Sequence, residues 1–82
     1  MTVSAQISVY PLRQEHLGPA VESVRSALEE HRLTPHVGPM STTVTGESGI
    51  MFAALADAFT KAASSGELVM TITISNACLV AS

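Results

Sequence analysis

The chain has 82 residues, which is enough for one small domain and too few for a second. Its four lysines and arginines are outnumbered by seven aspartates and glutamates, and the net charge of -3 lacks the basic surface typical of nucleic acid binding. No apolar run approaches the roughly 20 residues of a membrane helix, and no signal peptide pattern begins the chain. These features predict a cytoplasmic protein that binds neither nucleic acid nor membrane.

The small size of the chain predicts assembly with other subunits. A domain of this length buries only about 60–65% of its unfolded surface, so additional burial or cross-linking is expected. The single cysteine, Cys78, cannot form an internal disulfide, and His16, His31 and His36 lack the spacing of a metal site on a helix. We therefore expect no bound metal, and we expect the chain to form a homo-oligomer.

The first third of the chain predicts a strand and then a helix. Residues 2–10 alternate between apolar and polar side chains, which is the pattern of a strand with one buried face, and Pro11 ends it. Gly18 and Pro19 suit the N-cap and the first position of a helix, and the apolar spacing continues that helix to about His31.

The rest of the chain predicts two short strands, a second helix and a last strand. β-branched and turn residues fill positions 34–46, with a tight turn at Gly38-Pro39. Ser48 is the expected N-cap of the second helix, which ends before Ser64-Ser65-Gly66. Alternation returns in residues 67–75 and predicts the final strand.

The order β-α-β-β-α-β predicts an α+β, ferredoxin-like fold, in which a four-stranded antiparallel sheet carries both helices on one face. We assign the domain to residues 1–76 and a C-terminal tail to residues 77–82. The helices must cover the apolar side of the sheet. The other side, called here the open face, is predicted to carry Gln6, Ser8, Tyr10, Thr71, Thr73 and Ser75, together with alternate residues of the strand at 41–45.

The open face has three interpretations. Its hydroxyl and amide groups can hydrogen bond a polar heterocycle, with Tyr10 and Met40 as apolar contacts, but it can equally be solvated or pack on another subunit. Because this predicted face lacks Asp, Glu, His, Lys and Arg, no catalytic residue is assigned and the chain is not expected to be an enzyme. Glu47 opens the second helix, where the helix dipole favours an acid, and it can also pair with a cationic ligand.

Several segments of the chain resemble one known family. They are residues 3–12, 16–19 and 37–42, and the pair Gly46-Glu47 followed by Phe52. In their order and spacing these segments are similar to the small thiamine-binding proteins of the MTH1187/YkoF-like superfamily, as a single-domain member. The resemblance extends over nearly the whole chain, from about Val3 to Ser75.

The resemblance implies a ferredoxin-like domain that binds thiamine or its hydroxymethylpyrimidine moiety without catalysing a reaction, as a carrier, buffer or sensor. Thiamine is then a ligand rather than a catalytic cofactor, and the single-domain members assemble as dimers of dimers, which are homotetramers. The matching positions for ligand contacts are Gln6, Ser8, Tyr10, Met40, Ser41 and Thr42, and sheet geometry adds Thr43 and Thr73.

Two other functions remain open from the sequence. One is a regulatory or assembly module similar in shape to ACT domains, which would bind another small molecule or a protein partner. The other is a small ferredoxin-like enzyme of the dimeric α+β barrel kind, with isomerase or monooxygenase chemistry in a sheet cavity.

Overall fold

A computed structural model describes residues 1–13 and 16–77. It confirms the predicted α+β, ferredoxin-like fold, with two helices and a four-stranded antiparallel sheet. Of the predicted C-terminal tail, Cys78 and the residues after it lie outside the described residues. In chain order the elements are β1 (Thr2–Pro11), α1 (Gly18–Glu30), β2 (His36–Val37), β3 (Thr42–Glu47), α2 (Ser48–Ala62), a 3-10 turn (Ala63–Ser65) and β4 (Leu68–Ser75).

The strands are ordered β2-β3-β1-β4, with antiparallel pairing throughout. β1 lies between β3 and β4, and it pairs with β4 without interruption from Ser4 opposite Ser75 to Pro11 opposite Leu68. Pro11 is therefore the last residue of β1, where a missing N–H costs little.

The core lies between one face of β1 and the two helices. Val3, Ala5, Ile7 and Val9 are each 6% exposed or less, as alternation predicted. Small residues let the helices approach the sheet and one another closely, and Ala27, Ala54 and Ala58 are completely buried. The largest fully buried side chains are Ile7, Leu28, Met51, Val24 and Val44.

The helix starts differ from those predicted. The N-cap position of α1 is Leu17 rather than Gly18, and its side chain makes no capping hydrogen bond, because Leu has no acceptor. The predicted N-cap of α2, Ser48, is wrong, since Ser48 is the first helical residue and Glu47 precedes it as the cap. A carboxylate accepts N–H groups more strongly than a hydroxyl, and Glu47 is extended at the end of β3, so its side chain reaches the first turn.

Gly46 marks a close approach between β3 and the segment that follows α1. A Cβ atom at this position would lie 2.5 Å from Cδ2 of Leu33, which is itself 9% exposed and part of the core. Any side chain at this position would have to displace the end of Leu33 from this part of the core. Within residues 1–13 and 16–77, no helix has the length and apolar character to cross a bilayer.

Candidate functional site

Side chains on the open face form rows that cross the sheet. Gln6 lies opposite Thr43 on one side and Thr73 on the other, and Thr43 lies opposite His36. Opposed residues of an antiparallel pair project from the same face, so these four side chains form one row. Further along β1, Ser8 lies opposite Thr71 and Tyr10 lies opposite Val69.

The bend between β2 and β3 is attached to the open face by two side chains of β1. The N–H of Gly38 donates to the carbonyl oxygen of Ser41 at 2.8 Å and closes the bend. Nε2 of Gln6 donates to Oγ of Ser41 at 3.1 Å, and Oγ of Ser8 donates to the carbonyl oxygen of Met40 at 3.3 Å. These contacts bring the polar groups of β1 and the bend into one cluster.

Two of the predicted contact residues provide exposed apolar surface. Tyr10 is 53% exposed on β1, and Met40 is 82% exposed in the bend. Val69, opposite Tyr10, is also half exposed. An aromatic ring or a thioether beside hydrogen-bonding groups is a suitable surface for a flat, polar heterocycle.

A small pocket lies behind the bend, between β1 and α1. Its walls include Ser8 and Met40 together with Leu17, Val21 and Val24. The enclosed space has room for roughly three water molecules, which is too little for a pyrimidine ring. A ring-sized ligand therefore fits better on the open face, beside the bend, than inside this pocket.

Two predicted site residues lie apart from this cluster. Thr42 is opposite Ile7, is 4% exposed and faces the helices, so it belongs to the other side of the sheet. Glu47 is opposite Thr2, four residues along β1 from Gln6, which is a distance of roughly 13 Å. Hydrogen bonds join Gln6 and Ser8 to the bend at Ser41 and Met40, and Thr43 and Thr73 lie opposite Gln6. Tyr10 lies on the same face of β1, two residues beyond Ser8. Thr42 lies on the other face of the sheet, and Glu47 lies at the other end of β1.

The Glu47 carboxylate is engaged at the start of α2. It accepts the backbone N–H groups of Ile50 at 3.3 Å and Gly49 at 2.7 Å, and also the hydroxyl of Ser48 at 3.2 Å. The N-terminal ammonium of Met1 lies 3.4 Å away. These donors, the backbone groups first, lower the pKa of Glu47. The Glu47 carboxylate therefore caps the N-terminus of α2.

Sequence reasoning missed one residue of the open face and the burial of another. His36 lies opposite Thr43, so the expectation of a face without a histidine is wrong. Alternation places Ser4 on the polar side of β1, but Ser4 is only 3% exposed, and its hydroxyl lies 3.0 Å from that of Thr45. Placing His36 required the register across the bend.

A second depression lies at the opposite end of the domain, between the end of α1 and the start of α2. It is lined by His31, Leu33, Gly46 and Ile50, and Glu47 is the predicted site residue that borders it. It is wide and open to solvent. In the part of the chain that the structure describes, no group of three or more His, Cys, Asp or Glu could hold a metal ion.

The fold and the open face together define a small ferredoxin-like α+β domain with a hydrogen-bonding, largely uncharged sheet surface. The model of the thiamine-binding protein family matches residues 5–77, so the chain belongs to that family. This match confirms the resemblance found in the sequence and supports a role related to thiamine. No curated protein matches the chain significantly.

Solved structures of low sequence identity share the fold. A Streptococcus pneumoniae protein is 23% identical, covers 92% of this chain and 86% of its own, and has a TM-score of 0.82. A hypothetical protein from Methanocaldococcus jannascii is 18% identical over 92% of this chain and 79% of its own, with a TM-score of 0.83. A Thermotoga maritima protein, described as a putative thiamine biosynthesis or salvage protein, is 20% identical. The match covers 90% of this chain and 82% of its own, with a TM-score of 0.78.

Proposed function

We propose that the chain binds thiamine or its hydroxymethylpyrimidine moiety and catalyses no reaction, acting as a carrier, buffer or sensor of the vitamin. Family membership supports a thiamine-related ligand. The observation that carries the proposal is the pair of hydrogen bonds from Gln6 and Ser8 to the bend, because they gather donors, acceptors and exposed apolar groups at one place.

The chemistry of this cluster suits an aminopyrimidine, which presents an amino donor beside ring nitrogen acceptors. The Gln6 amide has an oxygen and two N–H groups, one of which Ser41 accepts, and the hydroxyls of Thr43 and Thr73 flank it. Tyr10 and Met40 provide surface for the flat ring. The net charge of -3 favours the cationic thiazolium of thiamine through the long-range field.

The proposed role is binding rather than catalysis because, among the described residues, none orients a general base on the open face. His36 is exposed, and among the described residues none hydrogen bonds its ring. A catalytic imidazole is normally oriented by a carboxylate or carbonyl partner. We also propose that the chain acts as a homo-oligomer, because its small core favours additional burial between subunits. The family resemblance implies that this oligomer is a dimer of dimers.

Isothermal titration calorimetry with thiamine and, separately, with hydroxymethylpyrimidine tests the proposal. Saturable binding is expected. Gln6→Ala and Ser41→Ala should each weaken the affinity by about 5- to 30-fold, because each removes one hydrogen bond that the ligand buries, which contributes about 1–2 kcal/mol. Ser23→Ala is the matched control, because that hydroxyl binds the Pro19 carbonyl on exposed α1. If the folded chain binds neither compound, the proposal fails and a regulatory or assembly module becomes the better account.

A further inference from the structure

All four lysine and arginine side chains of the protein lie away from the open face, and two of them belong to the helices. Arg25 pairs with two glutamates of α1. Nζ of Lys61, on α2, lies 3.2 Å from Oδ2 of Asp57 and also contacts a glutamate of α1. Both helices cover the other side of the sheet, so neither charge lies beside the open face.

The other two arginines lie at the ends of the domain. Arg13 follows β1, and its Nη1 lies 3.4 Å from Oε1 of Glu67. Arg13 is beyond Pro11, the last residue of β1, which is about 17 Å along the strand from Gln6. Arg32 follows α1 and lines the depression at the end of the domain opposite the bend. Gln6 and the bend therefore have no lysine or arginine beside them.

The backbone of the bend is poorly suited to an anion. The N–H of Gly38 donates to the carbonyl oxygen of Ser41 within the bend, and Pro39 has no N–H group. The first two residues of the bend thus offer no N–H group to a ligand. Met40 adds a carbonyl oxygen, which already accepts the hydroxyl of Ser8. Loops that bind phosphate instead present successive free N–H groups.

A phosphate ester would bring about two negative charges to this surface, and a diphosphate would bring more. The amide and hydroxyl groups beside the bend are uncharged, and the chain as a whole carries a net charge of -3. Burying an anion without a cationic partner is costly, because neutral donors replace only part of its hydration. Thiamine is a cation, which the same field attracts.

We propose that the open face selects the unphosphorylated vitamin and excludes its phosphate esters, thiamine monophosphate and thiamine diphosphate. The inference rests on the proposed function and adds the chemical form of the ligand. The placement of the four basic side chains carries it, because each lies on the helices or at an end of the domain. The chain then carries, buffers or senses the free vitamin and leaves the diphosphate, the form that serves enzymes as a cofactor, unbound.

Isothermal titration calorimetry with thiamine and its two phosphate esters tests the proposal at pH 8, where the esters are fully ionised and histidine is ordinarily uncharged. The monophosphate should bind at least about 10-fold more weakly than thiamine, and the diphosphate more weakly still. If either ester binds as tightly as thiamine, the inference is overturned while the proposed function stands. If none of the three binds, the inference fails, and hydroxymethylpyrimidine then decides whether the proposed function fails with it.

Two variants with the same added charge separate the effect of charge from that of ligand size. Thr71 lies opposite Ser8 on the open face, whereas Thr60 is exposed on α2. Thr71→Lys should strengthen diphosphate binding by about 5-fold or more and weaken thiamine binding, because a lysine there pairs with phosphate and repels the thiazolium. Thr60→Lys should keep the wild-type ratio of the two affinities. Equal ratios in the two variants would overturn the proposal.

The salt dependence of the wild type tests the same point without a substitution. Between about 0.02 and 0.5 M sodium chloride, the affinity for thiamine should fall and the affinity for the diphosphate should rise, because salt screens attraction and repulsion alike. The ratio of the two affinities should therefore narrow. A ratio that stays constant with salt would mean that charge does not select the ligand, and the proposal would fail.

Discussion

Gly46→Ala and Gly18→Ala each add one methyl group, but they should change the free energy of unfolding in opposite directions. Neither residue has a positive φ, so the difference is steric. At Gly46 the new Cβ would lie 2.5 Å from Cδ2 of Leu33, which must move by about 0.9 Å to reach an ordinary contact of 3.4 Å. At Gly18 no heavy atom lies within 4 Å. We expect Gly46→Ala to cost about 1–2 kcal/mol through overpacking and Gly18→Ala to stabilise by roughly 0.5 kcal/mol.

Urea unfolding at one fixed protein concentration measures both effects, since the stability of the proposed oligomer would depend on concentration. The decisive variant combines Gly46→Ala with Leu33→Ala. Leu33→Ala alone should destabilise by opening a cavity, but in that background the added methyl no longer meets the leucine and its cost should disappear. Two results would contradict the close approach as the reason for glycine at position 46. One is an equal loss of unfolding free energy from Gly46→Ala in the wild type and in the Leu33→Ala background. The other is an equal loss from Gly18→Ala and Gly46→Ala.

Three further predictions concern Glu47, the two faces of β3 and the core. Because the N–H groups of α2 lower the pKa of Glu47, the stability that its carboxylate contributes is complete above the ordinary pKa of 4.5 and is lost at lower pH. The melting temperature of Glu47→Gln should therefore fall less in acid than that of the wild type. Parallel pH profiles of the two proteins would contradict the cap. Thr43→Val should weaken vitamin binding in calorimetry and Thr42→Val should not, while the reverse order would place the ligand on the helix side. Leu28→Ala should cost about 3 kcal/mol and half-exposed Leu17→Ala under about 1 kcal/mol in urea unfolding; equal losses would contradict the assigned core.

The strands and their faces could be predicted because burial of one face of a strand places an apolar residue at every second position. Val3, Ala5, Ile7 and Val9 alternate with polar residues, and all four are in the core. The same rule predicted that Gln6 and its neighbours would occupy the open face. The fold then followed from element order, since few arrangements cover one face of four strands with two helices.

The site was harder to predict because its partners depend on register and side-chain length. The family motif assigned Thr42 and sheet geometry added Thr43, although adjacent strand residues must face opposite sides. His36 entered the open face only once the bend had set which residue of β3 it opposes. The cap of α2 depended on Glu47 reaching over Ser48, which a preference for serine at helix starts does not reveal.

The vitamin is proposed to bind on the open face beside the bend. An amide NMR titration of the isotopically labelled chain with thiamine tests this most directly, because it reports both binding and location. We predict saturable shifts in the Gln6 side-chain amide and in the backbone signals of Ser41 and Thr43. Shifts confined to the depression near His31 and Ile50, or no shifts at all, would contradict the account.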